Sequence, residues 1–416
     1  MGESVSLNTK TMVRPAKTVR SLRLGIDIPL LITVITLLAV GLLMVYSASW
    51  KPSLQLTGST DYFFLNQLKW AFVGVIGATL VTFLDYRMLR HIVVPLMFIT
   101  LVLLVLVLIF GDDRLNSRRS LMNGSVQPSE MAKLVIIIYL SYWLYTKQDK
   151  INIISFGLIP LAFILAITAG LILKQPDISA AMTVILLGGL LFYLAGGEWR
   201  QILLVGLVVG ALLIVVVTVF PTGQQRFAEY IRGLQDPVQS SFHIRRSVEA
   251  IVNGGLFGVG IGKGTTKFTG LPVTHTDSIF AVIAEETGLV GCFLVVGLYI
   301  ALLWRGLTIA NKAPDMFGKL LAAGVTLWIT IEALINMGVM VNLIPFAGNA
   351  LPLISAGGSS MVMTMGALGL LMNVARISNI ESKNKEGRAY SAVVDLRGRN
   401  RRGSVSRVSR PTGPRQ

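Results

Sequence analysis

Residues 224–288 read QQRFAEYIRGLQDPVQSSFHIRRSVEAIVNGGLFGVGIGKGTTKFTGLPVTHTDSIFAVIAEETG, the only long polar segment lying between apolar spans. On either side the chain runs in apolar blocks long enough to cross a bilayer, which takes about 20 residues of helix. The segment gathers a basic cluster (Arg226, Arg232, Arg245, Arg246) and a glycine-rich run (Gly254, Gly255, Gly258, Gly260, Gly262, Gly264). Within it an aspartate, Asp277, stands just before the next apolar block. A membrane protein that exposes one such loop is read as working there.

Composition supports that frame. Of 416 residues, 53% are hydrophobic and 14% charged, and the mean hydropathy is +0.69. So few charges cannot coat a soluble globule of this size, so the chain reads as a polytopic membrane protein. The net charge of +16 does not call for nucleic acid. Much of the excess lies in two tails, Lys10 to Arg23 and Arg376 to Arg415, where anchoring at the cytoplasmic face of the membrane accounts for it. The single cysteine, Cys292, excludes an intramolecular disulfide and a thiolate metal site. The polar and basic stretch before the first apolar run shows no cleavage site, so no signal peptide is expected.

Ten apolar spans follow: 26–46, 67–84, 92–110, 129–145, 152–173, 178–196, 201–220, 279–303, 317–340 and 357–375. The bias of Lys and Arg orients them. The N-terminal tail, the Arg87–Arg90 turn, the Lys147–Lys150 turn, Arg200, the Arg305–Lys319 loop and the C-terminal tail fall on one side, the cytoplasm. The expected fold is therefore an all-α bundle of about ten transmembrane helices with both termini inside. It divides into a basic tail (1–25), the membrane domain (26–376) and a basic tail read as unstructured (377–416). The largest outer loop, 221–278, lies between the seventh and eighth helices. Arg114, Arg118 and Arg119 break the charge rule by falling in an outer loop. That exception points either to function or to a tether on anionic headgroups.

Candidate chemistry clusters at the outer ends of the spans. Asp277 precedes a helix N-terminus, where exposed amides and the macrodipole favour a carboxylate. It could take a proton from a hydroxyl, hold a divalent cation, or merely cap the helix. His275 is either its partner or an interfacial polar residue. Glu285 and Glu286 lie roughly 12–13 Å further along that helix, at 1.5 Å per residue, and read as internal pairing. In Gln127-Pro-Ser-Glu130, proline suits the first turn and glutamate the dipole, and Glu130 can pair with Lys133 at i, i+3. With Arg118 and Arg119 upstream, this is either a capping arrangement or a phosphate site. Lys174-Gln-Pro-Asp177 makes a tight outer turn. Gly262-Lys263-Gly264 resembles a phosphate loop only loosely. The last outer loop, 342–360, is dense in Pro, Gly and Ser. Irregular backbone at membrane depth is tolerated where it lines a cavity.

Taken together, HTDSIFAVIAEETGLVG (275–291), QPSEMAKL (127–134), KQPDIS (174–179), NLIPFAGNALPLISAGGSS (342–360), MVYSAS (44–49) and RFAEYIRGLQDP (226–237) carry a resemblance. In their order along the chain they resemble the shape, elongation, division and sporulation (SEDS) family of FtsW/RodA/SpoVE-like peptidoglycan glycosyltransferases. The likeness runs from about residue 26 to 376. It implies ten membrane helices, a large outer loop between the seventh and eighth, and an essential aspartate at Asp277. Glu130 and Lys133 match the family's paired acid and lysine, and Arg118 and Arg119 its outer-loop basic residues. Departures are a shortened 115–126 loop without the usual tryptophan, Ser278 for phenylalanine, Ala356 for tyrosine and His243 for glutamine.

The resemblance implies lipid II as substrate and undecaprenyl pyrophosphate as the departing group. A single inverting displacement needs one base, and a diphosphate leaving group needs neutralising charge. Asp277 is then the base or the ligand of a divalent cation (Mg2+ or Mn2+). Arg118, Arg119 and Lys133 contact the diphosphate, with Glu130 orienting Lys133. Lys174, Asp177, Arg245, Lys263 and His275 are further candidates around the substrate. The implied partner is a class B penicillin-binding transpeptidase, alongside other division or elongation proteins, and the implied location is the bacterial cytoplasmic membrane with the site facing outward. The long basic tails favour the division branch over the elongation branch. Two other readings stay open: a precursor flippase or transporter, whose sites usually lie near the bilayer midplane, and a non-catalytic division scaffold.

Overall fold

The computed structural model describes residues 25–111, 113–114, 117–118, 127–219, 221–236 and 239–401. Helices stand at all ten apolar spans: α1 (Ile28–Thr57), α2 (Tyr62–Phe83), α3 (Leu89–Phe110), α4 (Pro128–Thr146), α5 (Leu158–Leu173), α6 (Ile178–Leu194) and α7 (Trp199–Val219), then, after three helices of the large loop, α11 (Ile279–Asn311), α12 (Met316–Met340) and α13 (Gly358–Arg401). The loop helices are α8 (Pro221–Gln235), α9 (Phe242–Gly254) and α10 (Thr266–Thr269). Among the described residues the only other regular structure is short 3₁₀ turns and an antiparallel two-residue ladder, with Asp113 opposite Arg118 and Arg114 opposite Ser117.

Six of these helices (α1, α2, α3 with its preceding turn, α11, α12 and α13) are long and apolar enough to cross a membrane. Many large apolar side chains on them face outward: Phe72 on α2, Phe98 on α3, Phe293 and Trp304 on α11. Such a continuous greasy surface is stable only in lipid. The protein is an all-helical, polytopic membrane protein.

Local chemistry sets the helix ends. Asp27 caps α1 by accepting from Leu30 N at 3.1 Å, and Arg305 of α11 holds the same carboxylate through two bonds of 2.8 and 2.6 Å. Asp315 caps α12 through Gly318 N at 2.7 Å and pairs with Arg90 at 2.6 Å. A left-handed Gly58 ends α1. That helix outruns its predicted span because Lys51 and Ser53 keep it engaged, Lys51 with the Phe268 carbonyl and Ser53 with Phe63 N.

Helix α12 is the most enclosed of the six, with Trp328, Leu320 and Ile329 all buried. It packs against α11, α4, α6 and α13, and α13 lies along α2. Between α12 and α13 the chain dips back into the bundle without helix. Leu351, Leu353, Ile354 and Ser355 are buried there. A Cβ on Gly41 of α1 would come within 2.3 Å of the Leu353 carbonyl, so the loop reaches well down α1. Tyr299 donates to Pro352 O at 2.5 Å. The irregular backbone of this loop is thus surrounded by protein.

One boundary moves. The C-terminal tail, read as unstructured from 377, is helical as far as Arg401. The bundle itself supports the start of this extension: Ser378 donates to Lys312 O at 2.5 Å, Asn379 to Gly25 O at 2.9 Å, and Glu381 pairs with Arg87 at 2.7 Å.

Candidate active site

The turn carrying Asp277 is held by its backbone. Asn336 of α12 donates to the Asp277 carbonyl at 2.9 Å and to the Asn349 carbonyl at 2.5 Å. Ser355 Oγ donates to Thr276 O at 2.6 Å, and Ala356 N to His275 O at 2.8 Å. Thr274 Oγ1 reaches Ala48 O on α1 at 2.8 Å. Ser278, wholly buried, lies 2.5 Å from His243 Nε2 of α9 and 2.8 Å from Pro272 O. Three parts of the fold distant in sequence therefore fix the five residues 274–278. The Asp277 side chain is half-buried, with Gly348 of the last outer loop 3.5 Å from Oδ2 at the position a Cβ would occupy.

Two histidines flank this turn, and both stay neutral. His275 packs its ring on Phe63 at 4.3 Å, and burial lowers its pKa from 6.5 to about 4. His243 packs on Phe346 at 4.5 Å, and burial lowers it likewise to about 4. Neither offers a positive charge to an anion near neutrality.

Glu130 and Lys133 do pair at the start of α4, at 2.8 Å. The lysine also pairs with Glu332 of α12 and lies over Trp328 at 5.5 Å. Its side chain is only 2% exposed. The ammonium is thus enclosed between two carboxylates, and Glu130 Oε2 is buried with no hydrogen-bond partner. Glu332 and Asn336 stand one turn apart on α12. Two polar residues at i, i+4 in an apolar helix were the sequence signal for both, since such groups must face protein or water.

The glycine-rich run is not a phosphate cradle. Its amides serve the protein's own acids: Gly262 N donates to Glu286 Oε2 at 2.9 Å, and Thr265 N and Thr266 N to Glu285 Oε1 at 2.9 and 3.1 Å. Lys267 pairs with Glu286 at 2.6 Å, and Ser47 of α1 donates to the same carboxylate at 2.6 Å. The glycine at 254 is a packing requirement, because a Cβ there would sit 2.0 Å from the Ala284 carbonyl.

The other candidates separate. Asp177 is spent as a cap: it accepts from Ala180 N at 3.2 Å, Ser179 at 3.1 Å, Gln127 at 3.1 Å and Ser129 at 3.1 Å, tying α6 to α4. Lys174, Lys263 and Arg245 are exposed, Arg245 lying over the Phe242 ring at 5.6 Å. Arg118 belongs to the two-residue ladder, its side chain outside what the structure describes, and Arg119 lies outside the described residues. Among the described residues no three His, Cys, Asp or Glu side chains converge as a metal site.

Comparisons with known proteins agree with this architecture. The cell cycle protein family model of FtsW, RodA and SpoVE matches residues 28–380. A probable peptidoglycan glycosyltransferase FtsW of Trichlorobacter lovleyi is 38% identical over 353 residues, 84% of this chain and 93% of that protein. Stage V sporulation protein E of Bacillus subtilis is 37% identical over 356 residues, 85% of this chain and 97% of that protein. Among solved structures, a chain of a peptidoglycan synthase complex that coordinates polymerization and crosslinking superposes with a TM-score of 0.70 at 28% identity, covering 85% of this chain and 98% of that one. The crystal structure of Thermus thermophilus RodA gives 0.64 at 27%, covering 84% and 97%. A match over most of the chain, with relatives at these identities, means that this protein belongs to the FtsW, RodA and SpoVE family of cell cycle proteins.

Proposed function

We propose that this protein is a peptidoglycan glycosyltransferase that polymerises lipid II into glycan strands at the outer face of the bacterial cytoplasmic membrane. Residues 26–376 form a ten-crossing bundle with both tails cytoplasmic and segment 221–278 outside. The observation that carries the reading is the Asp277 turn, whose carbonyls at 275, 276 and 277 are each claimed by the last outer loop or α12. A general base must be held to within a fraction of an ångström, and this scaffold supplies that rigidity.

Asp277 takes the proton of the acceptor sugar's 4-hydroxyl as that oxygen attacks the donor's anomeric carbon. The bond from that carbon to the diphosphate oxygen breaks, the centre inverts, and undecaprenyl pyrophosphate departs. Asp277 is also the carboxylate that would hold a divalent cation, Mg2+ or Mn2+, which would supply charge neutralisation for the departing diphosphate. Arg118 and Arg119 are proposed as direct diphosphate contacts, with Lys174, Arg245 and Lys263 as outer attraction. Lys133, locked between Glu130 and Glu332, acts by fixing the charge beneath the site. The likeness to a synthase-complex chain supports a class B penicillin-binding transpeptidase as partner, and the basic tails favour the division branch.

Polymerisation of labelled lipid II by the purified protein with its transpeptidase tests this. Wild-type should form glycan and Asp277→Asn should lose about 10²-fold or more, the usual worth of a positioned base. Equal rates would refute the role. Headgroup translocation in vesicles with no glycan product would favour a flippase instead.

A further inference from the structure

Helix α11 is broken at Gly288, where φ is 68 and ψ −169. A break there releases two backbone pairs, the carbonyls of Glu285 and Glu286 and the amides of Leu289 and Val290. All four find partners in the glycine-rich loop. Val259 N donates to Glu285 O and Gly260 N to Glu286 O, both at 3.0 Å. Leu289 N donates to Gly255 O at 3.0 Å and Val290 N to Leu256 O at 3.2 Å. The loop is thus pinned to one level of α11.

That level can be measured. The Arg305–Asp27 pair marks the cytoplasmic edge. From there, α1 rises about 30 Å to Ser47 and α11 about 28 Å to Glu286, at 1.5 Å per residue, which is the thickness of the hydrocarbon core. Ser47 and Glu286 touch at 2.6 Å, so both rulers agree. Leu289 and Val290, and with them Gly255 and Leu256, fall just inside that outer edge.

The side chains of the loop at this level are apolar and bare. Leu256 is 63% and Phe257 81% exposed, followed by Val259 and Ile261. They are continuous along the chain pairing with exposed Leu289, Val290, Phe293 and Leu294 on α11, which face lipid. We propose that the glycine-rich loop is a re-entrant wedge, with Leu256 and Phe257 seated among the acyl chains of the outer leaflet. Lys263, the only charge between 254 and 264, then reaches up to the headgroups. This does not rest on the glycosyltransferase reading, since it follows from backbone pairing and depth alone.

The test uses the full-length protein in lipid nanodiscs. Phe257→Cys in a Cys292→Ser background carries an environment-sensitive fluorophore, and Lys263→Cys carries the same label as a shallow reference. The label at 257 should emit blue-shifted and be quenched by a nitroxide on the lipid acyl chain, with the label at 263 more water-like and less quenched. Water-like emission at 257 without acyl quenching overturns the proposal, as does shielding that appears only when the transpeptidase partner is added. Should the labelled variant misfold, wild-type protein irradiated with diazirine-bearing acyl lipids should acquire adducts within 255–261. Adducts confined to the other lipid-facing helices would also overturn it.

Discussion

Replacing Lys133 with methionine should be among the most damaging single changes in the bundle, and the damage should be reversible from α12. The ammonium is 2% exposed and serves two carboxylates, Glu130 at 2.8 Å and Glu332. Methionine matches its length but leaves two acids buried without a counter-charge. Removing one partner of a buried ion pair typically costs about 3–5 kcal/mol. Glu332→Gln acts in the opposite sense. Two acids and one lysine form an excess of negative charge, and the glutamine amide still accepts from Lys133 while Glu130 balances it. Its cost should be about 1 kcal/mol or less, the net worth of one hydrogen bond. In the double variant one acid remains, near the outer end of α4, where it can bind a proton. The double should therefore be more stable than Lys133→Met alone, with a coupling of about 1–3 kcal/mol. Thermal unfolding in nanodiscs measures all three, and Trp328, 5.5 Å from the ammonium, reports on the site by fluorescence. Equal losses from Lys133→Met and Glu332→Gln, or strictly additive ones, would refute the reasoning.

Four further outcomes follow from the same geometry. Asn336→Leu leaves the Asp277 and Asn349 carbonyls unclaimed, so polymerisation should fall about tenfold or more, one unsatisfied group costing about 1–3 kcal/mol; an unchanged kcat would show that the turn is fixed otherwise. His243 and Ser278 should couple, His243→Ala and Ser278→Ala each lowering kcat but adding little to one another, while His243→Gln, which keeps a donor, should retain activity. Because burial lowers His243 and His275 from 6.5 to about 4, the unfolded chain binds more protons between those values. Their stability contribution is complete above pH 6.5 and declines as pH falls toward 4, so unfolding temperature should drop across that window, less steeply in His243→Gln. Gly254→Ala places a methyl 2.0 Å from the Ala284 carbonyl and should destabilise by about 1–3 kcal/mol, read from thermal unfolding.

The helices were legible because apolar runs of this length have few alternatives, and the Glu130–Lys133 pair because i, i+3 neighbours share a face. The long-range partners were not. Nothing in the spacing of Lys133 names Glu332, which comes from another helix almost 200 residues away. The loose likeness of the glycine run to a phosphate loop has a definite reason. A row of small residues and free amides suits any carboxylate or phosphate, and here the anions are Glu285 and Glu286 of the same chain. Helices α8 and α9 were hidden inside a segment read as loop, since amphipathic helices at an interface carry too few apolar residues to register as spans.

The placement of charge also weighs against transport. A carrier needs a polar site near mid-bilayer that opens to each side in turn. The acids buried in the bundle already have cationic partners, Glu332 in Lys133 and, at the outer edge, Glu286 in Lys267. The segment most suited to gating, the sunken loop after α12, is instead seated against the backbone of Gly41 and bonded to Tyr299 and to the Asp277 turn. Moving that loop would expose buried Leu351, Leu353 and Ile354 and break the bonds that hold Thr276 and His275. A platform whose mouth is fixed while substrates come to it suits group transfer at the membrane surface. A transporter with the same residues would have to dismantle the support of Asp277 in every cycle, so locking the Asp277 turn to α1 by a disulfide between Ala48→Cys and Thr274→Cys, at positions already joined by a 2.8 Å hydrogen bond, separates the two. Polymerisation should survive the oxidised cross-link in a Cys292→Ser background, and its loss with recovery on reduction would show that the turn has to move.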